Sequence, residues 1–173
     1  TKTADSSLGT YVNFIKDFPE SPYRGSAEDA VYKMSVPNFS IGEYHQFINT
    51  YPANRNVPDA WKSLYALYTA DGSSITIAQF WITYPEFPFR ETISEDLRLS
   101  MTTFYPIRES GKWGFADSTG KILIECKYDW VEQFSEGVAA VGMHDKCGYI
   151  NKNGSVAIPF KYDEGEKFHR GLA

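Results

Sequence analysis

The chain repeats itself at two different periods, and each period admits only one kind of backbone. An aromatic–proline pair recurs at equal intervals, as Phe18-Pro19, Tyr51-Pro52 and Tyr84-Pro85. The interval is about 33 residues, within the range of helical-hairpin repeats. At the same offset stand Tyr11/Tyr44/Ile77, Phe14/Phe47/Phe80 and Ile15/Ile48/Trp81. Within a unit these positions fall at i, i+3, i+4 and i+7, one stripe of an α-helix. The proline then ends the helix, because its ring disfavours helical geometry in the residue before it. A second apolar stripe follows at Ala27, Ala30, Val31 and Met34, at Ala60, Leu64 and Leu67, and at Ile93, Leu97 and Met101. Ser40, Asp59 and Ser73 stand where N-caps are wanted. Two helices per repeat, three times over, predict a solenoid of helical hairpins, since one hairpin cannot bury its apolar face alone.

The segment Tyr11-Val-Asn-Phe-Ile-Lys-Asp-Phe-Pro-Glu-Ser-Pro-Tyr23 resembles the tetratricopeptide-repeat superfamily, and within it the repeats of bacterial envelope-assembly lipoproteins. The resemblance covers about residues 5–102. It departs from the usual pattern in lacking the Trp and Gly of the first helix. It implies a periplasmic, cell-surface or secreted protein. It does not carry over the cationic set with which chaperone-binding members hold a C-terminal carboxylate, since only Lys16 has the right charge.

The second period is of similar length and β in character. Lys112-Trp113-Gly114-Phe115-Ala116-Asp117 returns as Lys146-Cys147-Gly148-Tyr149-Ile150-Asn151. The interval, about 34 residues, again lies in the range of tandem structural repeats. The matches continue through Gly120/Gly154, Ile124/Ile158, Lys127-Tyr128-Asp129 against Lys161-Tyr162-Asp163, Phe134/Phe168, Gly137/Gly171 and Ala139/Ala173. Short Gly-containing loops between alternating apolar runs signal hairpins. Each unit is expected to give strands like Trp113–Asp117, Lys121–Glu125 and Val138–Met143, and Phe104–Arg108 reads as the last strand of a preceding unit. These residues resemble the WG β-repeat family over residues 104–173, with Cys147 in place of the Trp. The repeat breaks off in mid-unit at Gly171-Leu172-Ala173, which leads to the expectation that further units follow. The fold class is therefore α+β: an α-helical hairpin solenoid of three units over residues 1–103, then antiparallel β repeats over residues 104–173.

Composition narrows the function classes. The net charge is −5 and no Lys/Arg run is present, so the electrostatic footprint of a nucleic-acid binder is missing. No stretch approaches the roughly 18 apolar residues of a membrane span. The chain opens at Thr1 without Met, so a removed export signal cannot be read from it. Aromatics make up 16% of the residues, and the repeat positions account for much of that excess.

No catalytic constellation emerges, and no cofactor or metal is implied. His144-Asp145-Lys146-Cys147 brings His and Cys together, but the first two fall in a turn and Cys147 takes the repeat's ring position. Cys126 and Cys147 both read as packed thiols, with a disulfide open if the protein is exported. Asp117–Gly120 and Asn151–Gly154 read as hairpin turns, since they lack the bidentate Glu of a calcium loop. Asp129 and Asp163 suit a turn or cap role.

The candidate site is a polar row. Asn13, Gln46 and Gln79 are all carboxamides at one helix position, beside Lys16 and Asn49. In helical-hairpin solenoids the first helices line the concave face, so these five residues are candidates for an extended peptide, the alternative being a solvated surface. The chain is accordingly expected to be a non-catalytic scaffold for a protein or peptide partner. The second reading is a carbohydrate or cell-wall binding module using exposed rings such as Trp61, Trp81 or Trp130. An enzyme would need Asp, His and Cys from separate units to meet in a pocket.

Overall fold

The computed structural model describes residues 7–169. Gly171 and Ala173, the last matches of the β period, lie outside the described residues. Six helices come first: α1 (Leu8–Asp17), α2 (Arg24–Ser35), α3 (Ile41–Thr50), α4 (Val57–Tyr68), α5 (Ser74–Thr83) and α6 (Arg90–Met101). Seven strands follow: β1 (Tyr105–Glu109), β2 (Lys112–Ala116), β3 (Ile122–Tyr128), β4 (Trp130–Val131), β5 (Val138–Met143), β6 (Lys146–Asn151) and β7 (Val156–Tyr162). The α+β class is as expected. The change from helix to strand falls between Met101 and Tyr105, whereas the two compact units of the chain divide between Tyr68 and Thr69.

The helical period is kept to the residue. Ser7, Ser40 and Ser73 cap α1, α3 and α5 by accepting from the backbone N–H of Thr10, Glu43 and Thr76. At Ser40 the Glu43 carboxylate returns the bond to the cap N–H, closing a capping box. Phe18, Tyr51 and Tyr84, each before its proline, leave helical geometry with φ of −130°, −128° and −127°. Ser7 was not expected as a cap. Asp59 is not one: it sits inside the first turn of α4, where its charge complements the helix dipole and pairs with Lys62 at 3.3 Å.

In the first unit, α1 packs on α2, α2 on α3 and α3 on α4. Tyr44, Phe47 and Ile48 of α3 are buried, as are Ala27 and Val31 of α2 and Ala60 and Leu64 of α4. Met34, Leu67 and Met101, expected to continue these stripes, are exposed instead. Each lies at the C-terminal end of its helix, past the turns that carry the buried part of the stripe. A polar clasp also joins the two hairpins. Arg55 donates to both oxygens of Asp29 at 2.9 and 2.6 Å, Asn56 to Asp29 at 2.9 Å, and Asn54 to the Glu28 carbonyl at 3.1 Å. Arg55 reaches across Gly25, where a Cβ would meet its guanidinium at 2.5 Å.

The second unit holds α5, α6 and all the strands. Its sheets run β1-β2-β3 and β4-β5-β6-β7, antiparallel throughout. The sequence repeat and the sheet are out of phase. The last strand of one repeat pairs with the first of the next, as β1 does with β2 and β5 with β6, and β4 adds an edge to the second sheet beyond β5. Phe104–Arg108 was expected in that role and Tyr105–Glu109 fills it. Strand β3 runs on past the expected end at Glu125 to Tyr128, and the short β4 was not anticipated. Pro106 and Pro159 sit in the edge strands β1 and β7, the sheet positions to which proline is confined.

The WG glycines have a steric reason. From Trp113 to Phe115 the partner on β3 jumps from Tyr128 to Ile124, and from Cys147 to Tyr149 it jumps from Tyr162 to Ile158. These bulges press β3 and β7 against the glycines. A Cβ at Gly114 would lie 2.4 Å from the Ile124 carbonyl oxygen, and at Gly148 2.7 Å from that of Ile158. The two-residue turns Ser110-Gly111 and His144-Asp145 take the left-handed conformation at both positions, as a type I′ hairpin requires.

Between the sheets lies the core of this unit: Phe104, Phe115, Ile124 and Tyr128 with Ala139, Val141 and Ile150, closed by Leu99 of α6. Phe104, Phe115 and Phe134 form a ring triad with centroids 4.7–6.2 Å apart. The Lys152 amine lies 5.4 Å from the Phe104 ring and donates to the carbonyls of Ser100 and Thr102, both at 2.9 Å. It thereby satisfies the open C-terminal end of α6.

Candidate functional site

Position within a helix decides where the five candidate residues point. Asn13, Gln46 and Gln79 each occupy the sixth residue of a ten-residue helix, one step ahead of the buried or half-buried Phe14, Phe47 and Phe80. The turn of the helix from one residue to the next carries the amides out of the core, and all three are exposed. Lys16 and Asn49 lie one turn further along and are exposed too. Asn13 and Lys16 stand on α1 and Gln46 and Asn49 on α3, all in the first unit. Gln79 belongs to α5 in the second unit.

The surroundings of Asn49 add something the sequence reading missed. Its Nδ2 lies 3.1 Å from His45 Nε2, and the imidazole lies 6.5 Å from the Trp61 ring. The i, i+4 spacing of His45 and Asn49 was the signal that could have found the pair. Exposed amides with one imidazole can donate to and accept from an extended backbone, but they offer no activated nucleophile.

The aromatic platform is reduced by the packing. Trp61 was expected among exposed rings but is only 4% exposed, in the core of the first unit. Trp81, placed by its spacing in the apolar stripe of α5 but also named among the exposed rings, is 39% exposed, with the Arg90 guanidinium 5.2 Å from its ring centre, and Trp130 is 36% exposed. Trp130, at the sheet edge, lies over Gly142, where any Cβ would collide with the indole.

The ionisable groups of the β repeats serve structure. Hydrogen bonds from the Lys112 amine and the His144 N–H hold the Asp129 carboxyl below the usual carboxylate range. Its repeat mate Asp163 is lowered in the same way by Lys146, at 2.6 Å. The Asp117 carboxylate accepts from the Thr119 hydroxyl and N–H and from the Lys121 N–H, and these bonds lower it. It is a turn, as expected. Both cysteines are free thiols, and burial pushes Cys147 up, away from the thiolate that a nucleophile needs. Among the described residues, no three His, Cys, Asp or Glu side chains are grouped to hold a metal ion.

The steric demand for a glycine facing a bulged partner strand, met at Gly114 and again one β period on at Gly148, agrees with comparison to known families. A family model, the WG containing repeat, matches residues 113–147 and 148–173. The C-terminal part of this chain is thus a WG repeat module. No curated protein and no solved structure matches the chain. Among the described residues, no helix is long and apolar enough to cross a membrane.

Proposed function

We propose that this protein is a non-catalytic scaffold whose helical repeats hold an extended segment of a protein partner. The observation that carries the reading is the recurrence of an exposed carboxamide at the sixth position of α1, α3 and α5, as Asn13, Gln46 and Gln79. An amide pairs with both the N–H and the C=O of an extended peptide, so one amide per repeat suits a ligand without a fixed side-chain sequence. Lys16, beside Asn13, adds a cation for an acidic residue or chain end, and Asn49 adds a further amide beside Gln46. A bacterial envelope setting is supported by the likeness of Tyr11–Tyr23 to the repeats of envelope-assembly lipoproteins. On this reading the β repeats serve as the framework on which α5 and α6 of the same compact unit are held.

The test is selection of peptides from a random extended library on the whole chain, then titration of the best binder by fluorescence polarisation. Replacing Asn13→Ala and Gln46→Ala together should weaken binding roughly tenfold or more, at about 1 kcal/mol per lost hydrogen bond. Equal affinity in parent and variant, with both folded, would refute the amide row. Selection of glycans in place of peptides, lost on Trp81→Ala or Trp130→Ala, would favour the carbohydrate reading.

A further inference from the structure

The helical period and the β period meet at a pair of glycines. One residue before the serine caps of α3 and α5 the backbone turns left-handed, with φ of +53° at Phe39 and +62° at Gly72. At Phe39 the position carries a ring that is 66% exposed. At Gly72 it has no room for one, because a Cβ there would lie 3.2 Å from the Cα of Gly137. Gly137, left-handed at φ of +85°, allows still less, since its Cβ would lie 2.5 Å from the Asp71 carbonyl oxygen. The loop that enters α5 is thus laid backbone to backbone against the turn that enters β5, all within the second compact unit.

A cavity of about 520 Å³ opens at this contact, lined by Ala70 and Asp71 of the loop, Glu136 and Val138 of the turn, Ala157 and Ile158 of β7, and Phe168. Its volume lies within the roughly 300–1,000 Å³ of small-molecule sites. Phe168 is held in place as a wall: its carbonyl accepts from Ser135 Oγ at 2.7 Å, and its ring centre lies 5.0 Å from that of Tyr149. The charged groups at the cavity are of one sign. Asp71 and Glu136 are acidic, the other lining residues are apolar, and none of the described ones is basic. Asp71 is pinned, since its Oδ1 accepts from the Ser73 N–H at 3.1 Å and from the Thr76 hydroxyl, which leaves Oδ2 to accept from a ligand. Burial pushes the Asp71 carboxyl up, yet those bonds outweigh it and hold the group below the ordinary carboxylate range, so it stays charged.

We propose that this cavity binds a small molecule with an apolar body and a protonated amine at one end, the body against Val138, Ile158 and Phe168 and the amine on Asp71 and Glu136. A neutral molecule of the same shape gains the walls but not the carboxylates, and an anion is repelled by them.

The probes are phenylbutylamine and its neutral isostere phenylbutanol, titrated into the whole chain and followed through the backbone N–H resonances by NMR. Both should shift Ala70, Val138 and Ile158, with the amine bound about tenfold more tightly, the worth of a hydrogen bond to a charged group. Asp71→Asn keeps an acceptor for Ser73 and Thr76 but removes the charge, and together with Glu136→Gln it should bring the amine down to the affinity of the alcohol. Phe168→Ala should weaken both probes alike, because it removes a wall and no charge. Asn13→Ala with Gln46→Ala should change neither, which separates this site from the amide row. Equal affinity of amine and alcohol for the parent would overturn the proposal, as would shifts confined to residues outside the cavity. Failure of both probes to bind would overturn it too, and a Phe-Lys peptide that then shifted the same residues would make a partner protein the occupant instead.

Discussion

Gly114→Ala should be among the most damaging single-methyl changes this protein can suffer. The added carbon would lie 2.4 Å from the Ile124 carbonyl oxygen and 2.8 Å from both the Cys126 nitrogen and the Glu125 carbonyl carbon. Even a tight carbon–oxygen contact needs about 3.3 Å, so the overlap approaches an ångström. All three obstacles are backbone, so no rotamer change relieves them, and β3 must move or the bulge must open. Overpacking of this kind costs about 1–3 kcal/mol, and a backbone wall places Gly114 at about 3 kcal/mol. Gly148, with contacts at 2.7, 3.0 and 3.1 Å, should cost somewhat less, about 2 kcal/mol. Gly42→Ala in α3 has nothing within 4 Å and should stabilise by roughly 0.5–1 kcal/mol through helix propensity. Urea unfolding followed by tryptophan fluorescence and far-ultraviolet dichroism measures all three. For Gly114→Ala the loss corresponds to roughly 10–20 °C in the midpoint of the second unit. A Gly114→Ala variant within about 1 kcal/mol of the parent, at unchanged slope, would refute the steric account of the repeat's glycine.

Three further changes test the turns and the ionisable groups. Asp145→Gly should stabilise by about 1 kcal/mol, because Asp145 holds φ of +59° where its repeat mate is Gly111; the urea midpoint reads this directly. Asp129 has its pKa lowered by Lys112 and the His144 N–H, so its contribution is present above the ordinary value of 3.8 and lost as pH falls through the folded value. Asp129→Asn should therefore flatten the fall of the urea midpoint between about pH 5 and about pH 2. Burial lowers the Lys152 amine below its ordinary 10.5, so the unfolded chain holds that proton to higher pH. The parent should then gain stability relative to Lys152→Met as pH rises toward 10.5, although Met loses the two carbonyl bonds of α6 at every pH.

Legibility in the sequence followed periodicity. The ends of α1, α3 and α5 could be read because an aromatic–proline pair marks each, with Ser40 and Ser73 marking two of the starts, and hairpins could be read because Gly-containing turns recur in each β unit. Features confined to one repeat were hidden. The clasp of Asn54 on the Glu28 carbonyl and of Arg55 and Asn56 on Asp29 has Ser21-Pro22-Tyr23 and Phe87-Pro88-Phe89 at the matching positions, so no repeat announced it. The burial of Trp61 against His45 also escaped, as did the exposure of Met34, Leu67 and Met101, because an apolar stripe states which face turns inward and not whether a neighbour covers its last turn. The exposed amides were legible as polar residues on a helix face. Whether they hold a peptide depends on a partner, and a partner leaves no periodic trace in the chain that binds it.

The two periods also differ in what they specify. A helical hairpin closes its own backbone bonds, so the helical repeat and the structural unit coincide, and each is bounded by its own caps. A β repeat must borrow a strand from its neighbour, as β2 and β3 borrow β1 and as β6 and β7 borrow β5. The β repeat is therefore never a folding unit by itself. Its WG dipeptide does not mark the start of a domain but the point where a bulged strand closes onto its partner. That phase shift is why the second sheet reproduces the packing face of the first so faithfully, and why Tyr162, identical in type to Tyr128, ends up in solvent. The two tyrosines share their local pairing, and Tyr128 owes its burial to Ala139, Val141 and Ile150 of the second sheet, a cover that no repeat position within its own unit provides.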